Sequence, residues 1–561
     1  MPSWDYTKDI VVVGSGAGGM TAALVACDYR SETLRERKND VILLEKSSVY
    51  GGSTALSGGG IWIPGNHLMA QSGISDSCEE ALIYLKLVTR YQVAEKLLQA
   101  YVDNAAAMVK YLEENSHVHF EILPGLSDYY PEHNGCKSQG GRTLIAKSFN
   151  KRKLGKIAKD LRLPHPQTLV LGRITVTPNE ARKMVDSSLK GRLNAAYILS
   201  QYIFNPRRLF ARYDTRLTMG NALIGRLRLS LLDRQVPVLL NAPVKQLIIE
   251  NKAVVGVEAE QNGKKINIRA NKGVILAAGG FSRNKAMRLQ YQRHPISDQW
   301  TAANPDDMGD GIQMGITVGA ECELMQEAWW TPTTVVPGKG HAYVLIIEKS
   351  LPGCMIVNAK GQRFTNEASP YIDVVNDMYK YDSIPAFLIF DSRFRNKYPT
   401  GPLMPGVTPK KYVENGYIKV SDTIEKLATQ CGIDPQALVE TTQKMNQYSV
   451  TGKDLDFQRG DSSYDRYYGD ANVKPNPCLG SIVRPPFYAV EVFPGDLGTK
   501  GGLKIDNYAR VLRKDGTVIE GLYAIGNVSA SVMGNTYPGG GATIGPAMTF
   551  GYIAACHASS Q

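Results

Sequence analysis

The chain has 561 residues, too many for one core of ordinary size, and a composition of 43% hydrophobic and 21% charged residues. That balance, with 54 glycines and 29 prolines, excludes a disordered or fibrous chain and predicts a turn-rich α/β protein of two or more domains. The net charge of +11 does not mark a nucleic-acid binder, because it is local: residues 147–234 hold 19 Lys and Arg against 5 Asp and Glu, leaving 45 against 48 elsewhere.

From the N-terminus, "KDIVVVG" at residues 8–14 predicts a buried parallel strand, and "GSGAGGMTAALVACDY" a tight turn that opens a helix. No basic start followed by a long apolar run precedes it, so no secretion signal is expected. A second strand, "DVILLEK", ends at Glu45. Gly14, Gly16 and Gly19 make G-x-G-x-x-G between strand and helix, where backbone N–H groups and a helix N-terminus meet a pyrophosphate. Glu45 lies 31 residues after Gly14, against roughly 20 in the usual fingerprint, and the polar stretch "RSETLRERKND" accounts for the longer crossover. Glu45 is the candidate acceptor for ribose hydroxyls. This supports a dinucleotide and leaves NAD and FAD open.

"VYGGSTALSGGGIWIPGN" follows as a glycine-rich loop, and residues 78–115 read as helical. Residues 236–281 return to strand, and "GLYAIGN" and "NTYPGGGATIGP" close the chain. The expected division is a Rossmann-like domain from residues 1–289 and 476–561, a basic insert at 147–220 within it, and an inserted α+β substrate-capping domain at 290–475. Eight cysteines without any CxxC pair, and eight histidines with one close pair, predict neither a disulfide framework nor a metal site.

"EKSSVYGGSTALSGGGIW", "GVILAAGGFSRN" and "DGTVIEGLYAIGN" resemble the FAD-binding segments of the fumarate reductase and succinate dehydrogenase flavoprotein superfamily. The resemblance implies FAD and puts Lys46, Gly52, Ser53, Thr54, Ser57, Gly58 and Gly59 along the pyrophosphate and flavin. It puts Val244 at the adenine, and Ala278, Gly279, Gly526, Asn527 and Ala542 about the ribityl chain, phosphates and ring. Relatives that attach FAD covalently use a histidine in the loop after the second strand. Residues 46–66 contain none, so noncovalent FAD is expected.

"SDYYPE", "NEASPYID", "YDRYYGD", "PPFYAVEVFPGDLGTKGG" and "NTYPGGG" resemble the 3-ketosteroid Δ1-dehydrogenases. That implies an active site of Tyr129, Tyr371, Tyr537 and Gly541, with Tyr130, Tyr467 and Tyr468 lining the substrate cavity. The chemistry fits these groups. Taking a hydride from C1 of the A ring and a proton from C2 requires a polarised C3 carbonyl, which a phenol (Tyr537) and a backbone N–H (Gly541) can supply. Tyr371 is the expected base. An unperturbed phenol titrates near 10, so a hydrogen bond from Tyr129 is expected to lower its pKa.

Two other functions compete: the related 3-ketosteroid Δ4-(5α)-dehydrogenase, and a non-catalytic flavin-fold lipid carrier or chaperone. The insert "KGRLNAAYILSQYIFNPRRLFARYD" mixes Leu193, Tyr197, Ile198, Ile203, Phe204, Leu209 and Phe210 with Lys190, Arg192, Arg207, Arg208 and Arg212. This is the composition of an interfacial membrane helix, or of a solvated helical hairpin packed on the domain, and a sterol substrate favours the first. A cytoplasmic, peripherally membrane-associated enzyme is therefore expected, taking a 3-ketosteroid or sterol substrate and an external electron acceptor, with no nucleic-acid partner.

Overall fold

The computed structural model describes residues 3–29, 39–185, 189–211 and 213–561. Arg212 and most of the crossover at residues 30–38 lie outside the described residues, as do the side chains of Lys190, Arg192 and Arg207.

Strand β1 (Tyr6–Val13) carries four consecutive buried residues, Ile10 to Val13, because helices cover both faces of a parallel sheet. Strand β2 (Val41–Leu44) pairs beside it in parallel register, Ile10 opposite Val41 through Val13 opposite Leu44. On the other edge β1 meets the long strand Lys264–Leu276, whose C-terminal end also holds Val518–Ala524 in parallel. The N-terminal half of that long strand turns antiparallel against Ala253–Gln261. Distant segments of the chain therefore build one eight-stranded sheet.

Gly14 leaves β1 at φ +114°, and a Cβ there would stand 2.3 Å from the Ala277 carbonyl oxygen, so only glycine lets the chain turn so close to the neighbouring strand. Helix α1 (Ala17–Asp28) is buried along nearly its whole length and packs on the C-terminal helix Ile544–Ser560.

A second, six-stranded sheet orders Ala342–Val344, Ala328–Val335, Phe487–Thr499, Ala386–Asp391 and Cys354–Val357, with Lys419–Ser421 also on Phe487–Thr499. This corrects the expected boundary at residue 475. Phe487–Thr499 is a central strand of the second sheet, pairing with Ala328–Val335 on one side and Ala386–Asp391 on the other. Alternating apolar residues did not reveal which sheet it joins, since both have an apolar face.

The insert folds into 3₁₀ segments, a short hairpin and helices Pro178–Val185, Leu189–Ile203 and Pro206–Leu209. Gln167 ties it to the second sheet: its Nε2 donates to the Val344 carbonyl (2.7 Å) and its Oε1 accepts from Val344 N–H (2.9 Å). Among the described residues no helix is long and apolar enough to cross a membrane, and no group of three His, Cys, Asp or Glu could hold a metal ion.

Candidate active site and cofactor cradle

A continuous cavity of about 1580 Å³ runs from the glycine turn after β1, past the end of the C-terminal helix, to the second sheet and the insert. Pockets for one small molecule usually measure about 300–1,000 Å³, so this one has room for a dinucleotide and a second ligand together. Of the residues singled out from the sequence, all but Ala542 and Tyr130 lie in its wall. Ala542 is fully buried, with its N–H bound to the Gly539 carbonyl (3.1 Å).

The cofactor end fits FAD. Gly58 has nothing within 4 Å of where a Cβ would sit, and Gly16 only the Thr54 hydroxyl at 3.8 Å, so backbone is presented bare to the cavity. The Glu45 carboxylate reaches this region and accepts from Ser15 N–H (3.1 Å), the Ser15 hydroxyl (2.5 Å) and Ser47 N–H (2.9 Å). Lys46 pairs with Asp310 (2.5 Å). Ser53 donates to Asp307 (3.0 Å), a carboxyl that burial pushes up to about 7. Asp307 and Asp310 belong to a segment, "NPDDMGDG", that sequence reasoning passed over. His67, just beyond the loop without histidine, lies outside the cavity wall and turns its Nε2 to Glu113 (2.7 Å).

At the other end the tyrosines form a cage. Tyr129 donates to the Tyr371 hydroxyl (3.1 Å), its ring stacks on Tyr537 at 5.3 Å, and Tyr371 meets Tyr537 edge-on at 5.1 Å. All three are 3–5% exposed. Tyr129 is held by its backbone, whose N–H donates to the Pro538 carbonyl (3.0 Å), while the Tyr84 hydroxyl donates to the same oxygen (2.7 Å). Tyr371 is the first residue of helix Tyr371–Lys380, started by Pro370 and anchored by buried Val374, Val375 and Met378.

The adjacent pair in "SDYYPE" is resolved by side-chain direction: Tyr129 joins the cage, and Tyr130 turns to Asp373 (3.3 Å) outside the cavity wall. Tyr467 and Tyr468 end helix Ser463–Tyr468 and do line the cavity. Tyr464 one turn earlier, which the sequence did not single out, packs 4.6 Å from Tyr129.

Gly541 adopts φ +95°, and a Cβ there would lie 2.4 Å from both Gly60 C and Ile61 N. Its missing side chain thus admits the backbone of the early glycine loop. Burial raises the Tyr537 phenol above its usual value, while Thr543 (hydroxyl to hydroxyl, 3.1 Å), Tyr371 and the Gly541 N–H pull it back. Thr543 is a partner the sequence did not suggest.

Tyr371 departs from expectation. Burial carries its pKa well above 10, and the hydrogen bond that Tyr129 donates to its oxygen favours the phenolate without offsetting that burial. The dry cavity disfavours a phenolate, while a neutral phenol that donates to it works the other way.

The insert takes part in the site: segments His165–Gly172 and Pro178–Met184 line the outer cavity. Beyond them it exposes Phe204 and Phe210, each 83%, while Ile198 and Tyr202 pack inward. Arg208 is not available to lipid, as it is buried against Asp214 (2.5 Å).

A model of the FAD binding domain family matches residues 9–544. A 3-oxosteroid 1-dehydrogenase of Mycobacterium tuberculosis is 41% identical over 575 residues, covering 99% of this chain and 98% of its own. The crystal structure of 3-ketosteroid Δ1-dehydrogenase from Sterolibacterium denitrificans in complex with 1,4-androstadiene-3,17-dione superposes with a TM-score of 0.94 and 45% identity over 99% of each chain. A 3-ketosteroid-Δ4-(5α)-dehydrogenase from Rhodococcus jostii, at 21% identity and a TM-score of 0.68 over 100% of this chain and 98% of its own, shows the fold alone. On this identity over its whole length, with the tyrosine cage beside a cofactor cradle, the chain belongs to the 3-oxosteroid 1-dehydrogenase family of FAD-dependent oxidoreductases.

Proposed function

We propose that the cage carries out 1,2-dehydrogenation of a 3-oxosteroid with Tyr537 and Gly541 as the carbonyl-polarising pair and Tyr371 as the proton acceptor. The observation that carries this reading is the convergence of three buried phenols, Tyr129, Tyr371 and Tyr537, on one end of the cofactor cavity. FAD held in the cradle would supply the acceptor for the hydride that leaves C1. Tyr537 and the Gly541 N–H hold the C3 oxygen and stabilise the negative charge that grows there as C2 loses its proton. The Tyr371 oxygen, as phenolate, takes that proton, and the Tyr129 hydroxyl, 3.1 Å away, donates a hydrogen bond that stabilises the phenolate. One C–H bond breaks at C1 as hydride and one at C2 as proton, and the electron pair left at C2 forms the C1–C2 double bond.

Noncovalent attachment of FAD is supported by the direction of His67, and a substrate as large as a sterol by the size of the cavity. Peripheral membrane association is supported by the exposure of Phe204 and Phe210 on the insert.

Incubation with cholest-4-en-3-one and androst-4-ene-3,17-dione plus an artificial electron acceptor yields 1,4-diene-3-ones from both. Tyr537→Phe lowers kcat by about 10²- to 10³-fold while FAD stays bound. Near-normal turnover in that variant overturns the role of Tyr537, and a product double bond elsewhere in the ring overturns the reaction.

A further inference from the structure

The cage must tolerate negative charge while a proton leaves C2, yet its three tyrosines are raised in pKa by their own burial. A cation stands directly behind it. Lys500, which follows the strand Phe487–Thr499, is 0% exposed and makes no ion pair among the described residues. Its Nζ donates to the carbonyls of Gly534 (3.2 Å) and Thr536, the residue before Tyr537. It lies 4.3 Å from the centroid of the Trp329 ring.

Trp329 in turn meets Tyr537 edge-on at 5.0 Å, and its Nε1 donates to Asn527 (3.0 Å) in the cofactor cradle. One ammonium thus holds the loop that presents Tyr537 and backs the indole that packs against its phenol.

A lysine in such a place needs a reason. Burying an ammonium without a carboxylate partner is costly, and a methionine of similar length would fill the same space. Two carbonyls and an indole face satisfy the charged form. The nearest titratable groups facing it are Glu327, beside the strand that carries Trp329, and Asp373, on the helix that begins with Tyr371. Glu327 is engaged with Arg293 (2.7 Å) and Trp330 (3.2 Å), and Asp373 with Tyr130 (3.3 Å).

We propose that Lys500 is a positioning residue whose positive charge, held behind Trp329 and the Tyr537 loop, offsets the negative charge that develops in the tyrosine cage during proton removal. This deepens the proposed roles of Tyr371 and Tyr537 and rests on them. It assigns the charge compensation that the Tyr129–Tyr371 contact does not provide.

The test compares holoenzyme and Lys500→Met for the rate of flavin bleaching by androst-4-ene-3,17-dione, from pH 6 to pH 9. Burial pushes Lys500 down to about 7, so its charge is present at the acid end and lost at the basic end. The expected wild-type to variant ratio is about 10- to 100-fold at pH 6 and falls towards one as pH rises, with FAD content unchanged. A merely structural role gives a ratio that does not vary with pH, and that result overturns the proposal.

Where Lys500→Met does not fold, Trp329→Leu decides. It strips the indole face and leaves the amine, so the limb of its pH profile moves to lower pH, and an unmoved limb overturns the proposal. Failure of the base reading is seen separately, as exchange at C2 that survives in Tyr371→Phe while the Lys500 ratio still varies with pH.

Discussion

The hydroxyls of Tyr129 and Tyr371 stand 3.1 Å apart although the residues are 242 positions apart in the chain. One belongs to the irregular connection between strands Phe120–Ile122 and Thr143–Ala146 of a three-stranded sheet, the other to the first turn of a helix in the second half of the protein. The proposed proton removal from C2 rests on this pair. In Tyr371→Phe, exchange of the C2 proton with deuterated solvent stops while substrate still binds. Exchange at the wild-type rate, followed by NMR or mass spectrometry, contradicts the role of Tyr371 as base.

Thr543 bonds the hydroxyl that is meant to polarise the substrate carbonyl. Thr543→Val keeps the shape and removes the bond, worth about 0.5–1.5 kcal/mol for a neutral pair. The expected outcome is a fall in kcat of roughly threefold to tenfold with KM little changed. Steady-state kinetics showing a rise in KM at constant kcat would place Thr543 in ground-state binding instead.

Gly541→Ala tests the backbone half of the polarising pair. A methyl at φ +95° collides with Gly60 and Ile61 at 2.4 Å. The loop must move, at a cost of at least about 2 kcal/mol. Thermal melting of the purified variant falls accordingly and turnover is lost with it; an unchanged melting temperature would show that the loop yields freely.

Glu348 lines the cavity and burial pushes its carboxyl up to about 7, against an ordinary 4.5. The folded state therefore holds its proton more tightly than the unfolded chain. The stability this contributes is complete below about pH 4.5 and is lost as pH rises through 7. Glu348→Gln removes the dependence, so the variant gains on the wild type between pH 5 and 8, by an amount on the order of 2–3 kcal/mol. Melting curves across that range check it, and a constant difference counts against the buried acid.

Phe204 and Phe210 are 83% exposed on the insert. Burying a phenylalanine in lipid contributes about 1.5–3 kcal/mol. Replacing both by aspartate lowers co-sedimentation with anionic liposomes at least tenfold, and leaves turnover of androst-4-ene-3,17-dione in detergent-free buffer intact. Equal co-sedimentation of variant and wild type removes the insert from membrane contact.

Much of this protein was legible in its residues because the signals are local. The strand, glycine turn and helix at residues 8–28 follow from an apolar run that must be a strand and glycines that alone permit the turn. The motifs around Tyr371 and Tyr537 carried the family resemblance, so those two side chains were named before any contact was known. Short spacing and backbone sterics act over a few residues and need no fold to be read.

What the tertiary structure decided was direction, partnership and electrostatics across long separations. Tyr129 and Tyr130 are equivalent as letters, and only the hydrogen bond of the Tyr129 backbone to Pro538 turns one into the cage and the other to Asp373. Thr543, Trp329 and Lys500 gain their meaning from what packs beside Tyr537, and Phe487–Thr499 from the sheet that accepted it. Tyr129 does donate to Tyr371, as expected, yet burial holds the Tyr371 phenol well above 10. A hydrogen bond can be inferred from chemistry, but the net pKa also carries the cost of desolvation, which only the folded interior sets.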